Sequence, residues 1–207
     1  MSTLTVVRHA QARPFENVAD SLSNTGESQA RSLGGFWERT GTVFDEIWSG
    51  SLERQRRTAA LAVGVEPRVA GEFNEYDAEG ILRGYPPPAA HPDNRAFQKT
   101  FEIAMQRWIE GAQQECETFA AFHTRVLQGL DKIQAGESNR RVLLFTSGGP
   151  IGVLVQTALG APPKSFAELN WRVRNCSISE FVFSRDRFSL DSFNSIGHLP
   201  PELRTFR

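Results

Sequence analysis

Arg8 and His9 stand side by side immediately after the short β-branched run Leu4-Thr5-Val6-Val7, and a second arginine, Arg54, follows Ser49-Gly50-Ser51. Guanidinium groups present planar donor forks to phosphate oxygens, and an imidazole is a competent nucleophile toward phosphorus. Further along, Ser147-Gly148-Gly149 leads into Pro150, a good first helical residue, and backbone N–H groups at a helix start point at a bound anion. Between these segments lie Glu75 and Glu79, either of which could protonate a leaving alkoxide. Added together, the residue types describe phosphoryl transfer.

Each feature also has an ordinary reading. An Arg-His pair after a strand is commonly a surface polar cluster, the run Arg54-Gln55-Arg56-Arg57 a solvated basic face, and a loop glutamate simply a loop carboxylate. Other chemistries fit less well. A nucleophile elbow needs Gly two residues before its serine, and Phe145 stands there before Ser147. Gly148-Gly149 lacks the lysine of a phosphate-binding P-loop and the spacing of a dinucleotide fingerprint. His91, His123 and His198 are single histidines without metal-ligand spacing, and His123, beside Phe122 on an amphipathic stretch, reads as a core-edge residue. No metal and no cofactor are expected.

The elements that must position these residues follow from the patterning. Leu4–Val7 reads as a buried strand. Ser23 and its neighbours cap a helix whose Ala30, Leu33, Gly34 and Trp37 share a face, Phe44–Trp48 is a second strand, and Ser51 caps a helix through Ala62. The stretch 71–92, interrupted by Gly80, Gly84 and Pro86-Pro87-Pro88, reads as a long loop and a candidate wall or lid of a site. Two covering helices follow. The first runs from Asp93 to about Ala112, and the second, Glu117 to about Ala135, turns Phe119, Phe122, Val126, Leu130 and Ile133 inward. Arg141–Phe145 is a strand feeding the Ser147-Gly148-Gly149 turn and a helix to about Gly160, and a hairpin over Asn175–Phe193 turns at Ser184-Arg185-Asp186-Arg187. The reading is an α/β fold, a three-layer α/β/α sandwich with a mostly parallel mixed sheet, and in such sheets ligands bind outside the carboxyl ends of the strands.

At 207 residues with 40% hydrophobic composition, the chain is expected to form a single domain, residues 1–207, around a sizeable core. Its formal net charge of −1 offers no global attraction to nucleic acid or an anionic membrane, so any anion site is local. Within the basic set, 20 Arg stand against 3 Lys. Cys116 and Cys176 form neither a disulfide framework nor a zinc pattern, and Met1–Val7 lacks the features of a signal peptide. A soluble, cytoplasmic protein is expected.

Three blocks, Leu4 to Ala10, Leu22-Ser23-Asn24-Thr25-Gly26-Glu27-Ser28-Gln29-Ala30, and Ser49 to Ala59, occur in the order found in the histidine phosphatase superfamily, the phosphoglycerate mutase-like proteins, and the chain resembles that family from Leu4 to His198-Leu199. The resemblance implies that His9 attacks phosphorus to form a phosphohistidine relieved by water. It further implies that Glu75, within Phe73-Asn74-Glu75-Tyr76, is the catalytic acid, with Glu79-Gly80 a weaker match, and that Arg8, Arg54, Ser147 and Gly148 bind the phosphoryl group. Two positions depart from the pattern. Ala10 stands for glycine, and Ser147 stands where family members carry a second histidine before Gly-Gly.

The expected activity is that of a phosphomonoesterase, a phosphoric monoester hydrolase, acting on a small phosphorylated or phosphohistidine-type substrate, with no nucleic-acid or membrane partner. Two alternatives stay open. One is a mutase, whose second phosphate site Arg56, Arg57, Arg83 and Arg95 could supply. The other is a phosphate-binding pseudo-enzyme weakened by Ser147.

Overall fold

The computed structural model of the chain describes residues 1–13, 20–85, 94–112 and 116–206, with the backbone alone at 94–96. Six strands form one sheet: β1 (Ser2–Arg8), β2 (Glu46–Ser49), β3 (Arg68–Val69), β4 (Arg141–Thr146), β5 (Ile178–Phe183) and β6 (Phe188–Ser195). Their spatial order is β3-β2-β4-β1-β5-β6. β1, β2, β3 and β4 are parallel, while β5 runs antiparallel to both β1 and β6, so the sheet is mixed and mostly parallel.

The central strands are apolar on both faces, and their period-2 alternation divides the core in two. Leu4, Val6, Val142 and Leu144 face one core, Val7, Leu143 and Phe145 the other. The second core is closed by α1 (Asn24–Thr40) and α2 (Glu53–Val63), through Ala30, Leu33, Trp37 and Ala59. The first is closed by α4 (Asn94–Ile109), α5 (Phe119–Gln134) and α6 (Gly148–Leu159), with the short α3 (Ala78–Leu82) and α7 (Ser165–Asn170) filling in beside them. All five inward positions expected of α5 are buried. No described helix is long and apolar enough to cross a membrane.

Three local features differ from the sequence reading. The first half of the expected 71–92 loop is ordered into a 3₁₀ turn, Gly71–Phe73, and α3, because Asp77 caps the latter by accepting from Gly80 N at 2.9 Å; residues 86–92, including His91, lie outside the described residues. Five residues carry too little periodicity to announce a helix. Ser51 does not cap α2. Leu52 occupies that position, its N–H donating to Gln55 Oε1, and Ser51 Oγ accepts from Asn74 Nδ2 at 2.7 Å instead. The two-residue β3 and the one-and-a-half-turn α7 are too short to be read from pattern.

α1 and α2 approach closely where Gly34 faces the backbone of Ala62, and a methyl group on Gly34 would lie 2.5 Å from the Ala62 carbonyl oxygen. Backbone cannot yield as a flexible side chain can. Gly34→Ala is therefore expected to destabilise the fold by about 1–3 kcal/mol despite its better helix propensity. Urea denaturation checks this; an unchanged or raised midpoint would show that the helices separate at no cost.

Candidate active site

β1 and β4 are paired neighbours whose outgoing helices, α1 and α6, cover opposite faces of the sheet. That arrangement opens a crevice at their carboxyl ends. β1 reaches the crevice pinned on both sides. Arg8 N donates to Ser177 O at 3.1 Å and His9 N to Thr146 O at 2.7 Å, while Cys176 N donates back to His9 O at 3.3 Å. His9 is 6% exposed. Its Nδ1 lies 2.8 Å from the Ala10 carbonyl, which can only accept, so Nδ1 carries the proton and Nε2 keeps its lone pair. That lone pair accepts from Arg54 Nε at 3.2 Å. Burial, then the charges of Arg54 and Arg8, hold the imidazole pKa well below its ordinary value, so His9 is neutral with Nε2 available as a nucleophile. Ala10 takes a negative φ, so its side chain is accommodated without backbone strain where the family carries glycine.

Residues of the second block hold the chain that follows His9. Ser23 caps α1, accepting from Gly26 N at 3.0 Å. Gly26 must lack a side chain because a Cβ there would sit 2.1 Å from Gln11 O. Gln29 accepts from Gln11 N at 2.8 Å through its side-chain oxygen and donates to Leu203 O at 2.7 Å. Thr58, on α2, accepts from Ala10 N at 3.0 Å and donates to Arg54 O at 2.6 Å. Arg54 itself is held in the first turn of α2 by Asp20. One Asp20 oxygen accepts from Arg54 Nη1, the other from Glu53 N at 2.6 Å. Nothing in the sequence patterning singled out Asp20.

Glu75 enters the crevice from the segment after the 3₁₀ turn, and its position depends on Arg125 of α5. The Arg125 guanidinium donates to three successive-region carbonyls, Glu72 O at 2.9 Å, Asn74 O at 2.8 Å and Glu75 O at 3.2 Å. The same group makes a bidentate pair with Glu117, at 2.6 and 2.8 Å, and lies over the Phe122 ring. The one available signal was a charged residue set between the inward positions Phe122 and Val126. The Glu75 carboxylate accepts from Gly149 N at 2.9 Å and Tyr76 N at 3.3 Å. Burial raises its pKa above the ordinary carboxylate range, against the opposing pull of Arg54, Arg8 and those two N–H groups.

Arg8, His9, Arg54 and Glu75 thus line one open cavity of about 1270 Å³. Ser147 and Gly148 stand behind its lining. Ser147 is fully buried and its Oγ accepts from Gln55 Nε2 at 2.8 Å, an amide that also donates to Phe73 O at 3.1 Å. A serine side chain is short, so the Gln55 amide reaches it without displacing either backbone. Gly148 is buried beside Asn170, Glu75 and Arg8. Glu79 is exposed outside the cavity lining. Of the four arginines considered for a second phosphate site, Arg56 is within ion-pair distance of Glu66, Arg57 pairs with Glu27 at 2.9 Å, and Arg83 is absent from the lining; the Arg95 side chain lies outside the described residues. His123 packs against Phe119 at a core edge, as expected.

Because a lysine cannot reproduce a guanidinium that serves three carbonyls and a carboxylate at once, Arg125→Lys is expected to loosen the Glu75 segment. Amide exchange at Phe73 and Asn74 should rise about tenfold or more, the equivalent of one lost charge-assisted hydrogen bond. Unchanged exchange there would mean that the turn holds Glu75 unaided.

Residues 4–196 match the histidine phosphatase superfamily (branch 1). Among curated proteins, the chain is similar to the probable phosphoglycerate mutase GpmB of Erwinia tasmaniensis, with 29% identity over 187 residues covering 84% of this chain and 81% of that protein. It is similar also to the uncharacterized phosphatase PhoE of Bacillus subtilis, 24% identical over 208 residues and covering 96% and 97% of the two chains. Among solved structures, a mutant phosphoserine phosphatase from Entamoeba histolytica in complex with phosphoserine superposes with a TM-score of 0.73 at 20% identity, covering 97% of this chain and 100% of that one. With the mixed sheet, the Arg8-His9 pair at the end of its first strand and a match over nearly its whole length, this chain belongs to the histidine phosphatase superfamily, branch 1.

Proposed function

We propose that the protein is a phosphomonoesterase that works through a phosphohistidine on His9. The observation that carries this reading is the geometry of the crevice: His9 Nδ1 is tied to the Ala10 carbonyl, its Nε2 accepts from Arg54 Nε, and Arg8 and Glu75 line the same cavity, an arrangement in which the imidazole pKa is lowered and the Glu75 pKa raised. The relatives' names support it at the level of class, since both a phosphatase and a phosphoglycerate mutase are among them.

The steps follow from the geometry. Phosphoryl oxygens of an ester take donors from Arg8 and Arg54. As Arg54 Nε turns to the incoming oxygen, the Nε2 lone pair of His9 is released and attacks phosphorus. The P–O bond to the leaving group breaks, and that oxygen takes the proton of Glu75. In the second half, Glu75 as carboxylate takes a proton from water, whose oxygen attacks phosphorus. The N–P bond returns its pair to Nε2, and orthophosphate departs. The arginines offset the charge on the equatorial oxygens in both halves, which is where most of the catalysis of such transfers lies. The N-terminus of α6 contributes through Glu75, which occupies the Gly149 N–H, so the helix dipole acts on the acid.

A mutase must hold a second anion on its substrate, and the absence of Arg56, Arg57 and Arg83 from the cavity lining supports hydrolysis; the two distal cations that do line it, Lys164 and Arg172, share that lining with Glu102, Glu110 and Glu168.

Single-turnover reaction with a labelled phosphomonoester, quenched in alkali to preserve phosphohistidine, should place the label on His9. Label on another residue, or none with His9→Ala retaining turnover, would overturn the mechanism. Arg54→Ala should lower kcat/KM by at least 10²-fold, because the loss removes both a phosphoryl donor and the partner of His9. A loss under about tenfold would make Arg54 a surface charge.

The pH dependence has a definite sign. Catalysis needs His9 unprotonated and Glu75 protonated. The lowered His9 pKa extends the first condition toward acid, and the raised Glu75 pKa extends the second toward neutrality. The kcat/KM profile should therefore be bell-shaped, its acid limb set by His9 and its alkaline limb by Glu75. Glu75→Gln should abolish the alkaline limb and slow alkyl esters at least 10²-fold more than esters of acidic phenols, which leave without a proton. An alkaline limb that survives in Glu75→Gln would assign the acid elsewhere.

A further inference from the structure

The cavity is larger than the four residues at its catalytic end require. Pockets for small ligands run to about 300–1,000 Å³, against about 1270 Å³ here. It continues along α4, whose Phe97, Phe101 and Ile109 all line it, and twelve residues of helix span roughly 18 Å. Beside them stands Trp171, which meets the Phe101 ring edge to face at 5.3 Å, while Phe97 and Phe101 stack at 6.1 Å. Leu82 closes the same wall. This is an aromatic surface continuous with the phosphoryl end.

The charges around it are mixed, with an excess of one carboxylate. Glu102, Glu110 and Glu168 line the cavity against Lys164 and Arg172, three carboxylates against two cations. Glu102 and Glu110 belong to α4, the same helix that supplies the rings. An ester ending in a carboxylate or a second phosphate would meet these carboxylates as its far end passed the rings. A neutral, flat leaving group would meet the half-buried Phe97 and Trp171 rings, with the buried Phe101 behind them, and ring contacts of this kind add to the area removed from water.

Resting on the phosphomonoesterase reading, we infer that the distal wall formed by Phe97, Phe101 and Trp171 selects monoesters whose leaving group is an uncharged, ring-bearing alcohol, and disfavours esters with an anionic far end. The phosphoryl group sits at Arg8 and Arg54, and the ring lies along α4. The specificity-determining residues are then Trp171 and Phe97 for the ring, with Glu102 and Glu168 set against a second anion.

Non-hydrolysable phosphonates test this without requiring turnover. By calorimetry on the full chain, benzylphosphonate is expected to bind at least tenfold more tightly than methylphosphonate, and 3-phosphonopropionate no more tightly than methylphosphonate. Trp171→Ala should narrow the benzyl-to-methyl ratio to below threefold. Because Trp171 also packs on Phe101, Phe97→Ala serves as a second variant and should narrow the same ratio. Glu102→Gln combined with Glu168→Gln should strengthen 3-phosphonopropionate binding relative to methylphosphonate. Benzyl and methyl compounds binding within threefold of each other, tightest binding by 3-phosphonopropionate, or a ratio unchanged in both ring variants would each overturn the inference. The two readings fail separately. Absent turnover with an intact ring preference removes only the catalytic reading, and turnover without ring preference removes only this one.

Discussion

The hydrogen bond from His9 Nδ1 to the Ala10 carbonyl decides the chemistry of the crevice, because it commits the imidazole to one tautomer and aims the Nε2 lone pair outward. An imidazole free to rotate or to take a second proton would lose that lone pair beside two arginines or present it to the protein interior. The bond is short-range, one residue away, yet it depends on the whole sheet. Ala10 N is held by Thr58 of α2, His9 N by Thr146 of β4, and His9 O by Cys176 ahead of β5. Three elements therefore fix the peptide on either side of the ring, and the burial that keeps the ring neutral comes from the same packing.

Charge in the crevice is arranged around that neutral ring. Arg54 faces His9 through Nε and Asp20 through Nη1, so its guanidinium has a defined plane before any phosphoryl oxygen arrives. Glu75 is placed from the other side by the Arg125 guanidinium, which donates to the Asn74 and Glu75 carbonyls, and by Gly149 N, which donates to the carboxylate. The α6 N-terminus, which anion sites in such sheets commonly use directly, is here committed to that acid. Ser147 fits the same arrangement. Its hydroxyl is engaged by Gln55 and buried, so the positive charge beside His9 in the cavity lining belongs to Arg8 and Arg54.

Much of the second sequence block that carries the family resemblance is architectural. Ser23, Gly26 and Gln29 neither line the cavity nor touch His9; they fasten the chain between Gln11 and α1 so that β1 ends where it does. Gln29 also reaches Leu203 and Thr205 near the other end of the chain, tying the C-terminal segment to the same anchor. Residues that line the cavity and residues that hold the chain in place are thus interleaved in the blocks that carry the resemblance, and only position in the fold separates them.

What the sequence determined by itself was whatever rests on local period and strand ends. Period-2 alternation in Leu4–Val7 and Val142–Phe145 assigns those residues to two cores, and a polar pair directly after a buried strand must emerge at the sheet's carboxyl edge, so Arg8 and His9 were legible. Arg54 was legible through its place in the third ordered block, whereas Glu75, outside those blocks, was singled out by the family resemblance, with Glu79 as a weaker match. Only tertiary structure decided which partners those side chains take. Asp20 meets Arg54 across 34 residues, Arg125 meets Glu75 across 50, and Gln55 meets Ser147 across 92. No periodic signal spans such separations, because each pairing is set by how helices and turns stack on the two faces of the sheet. The same reason governs the cavity wall: Phe97, Phe101 and Trp171 belong to elements joined only by packing, and their common surface exists once α4 and α7 lie side by side.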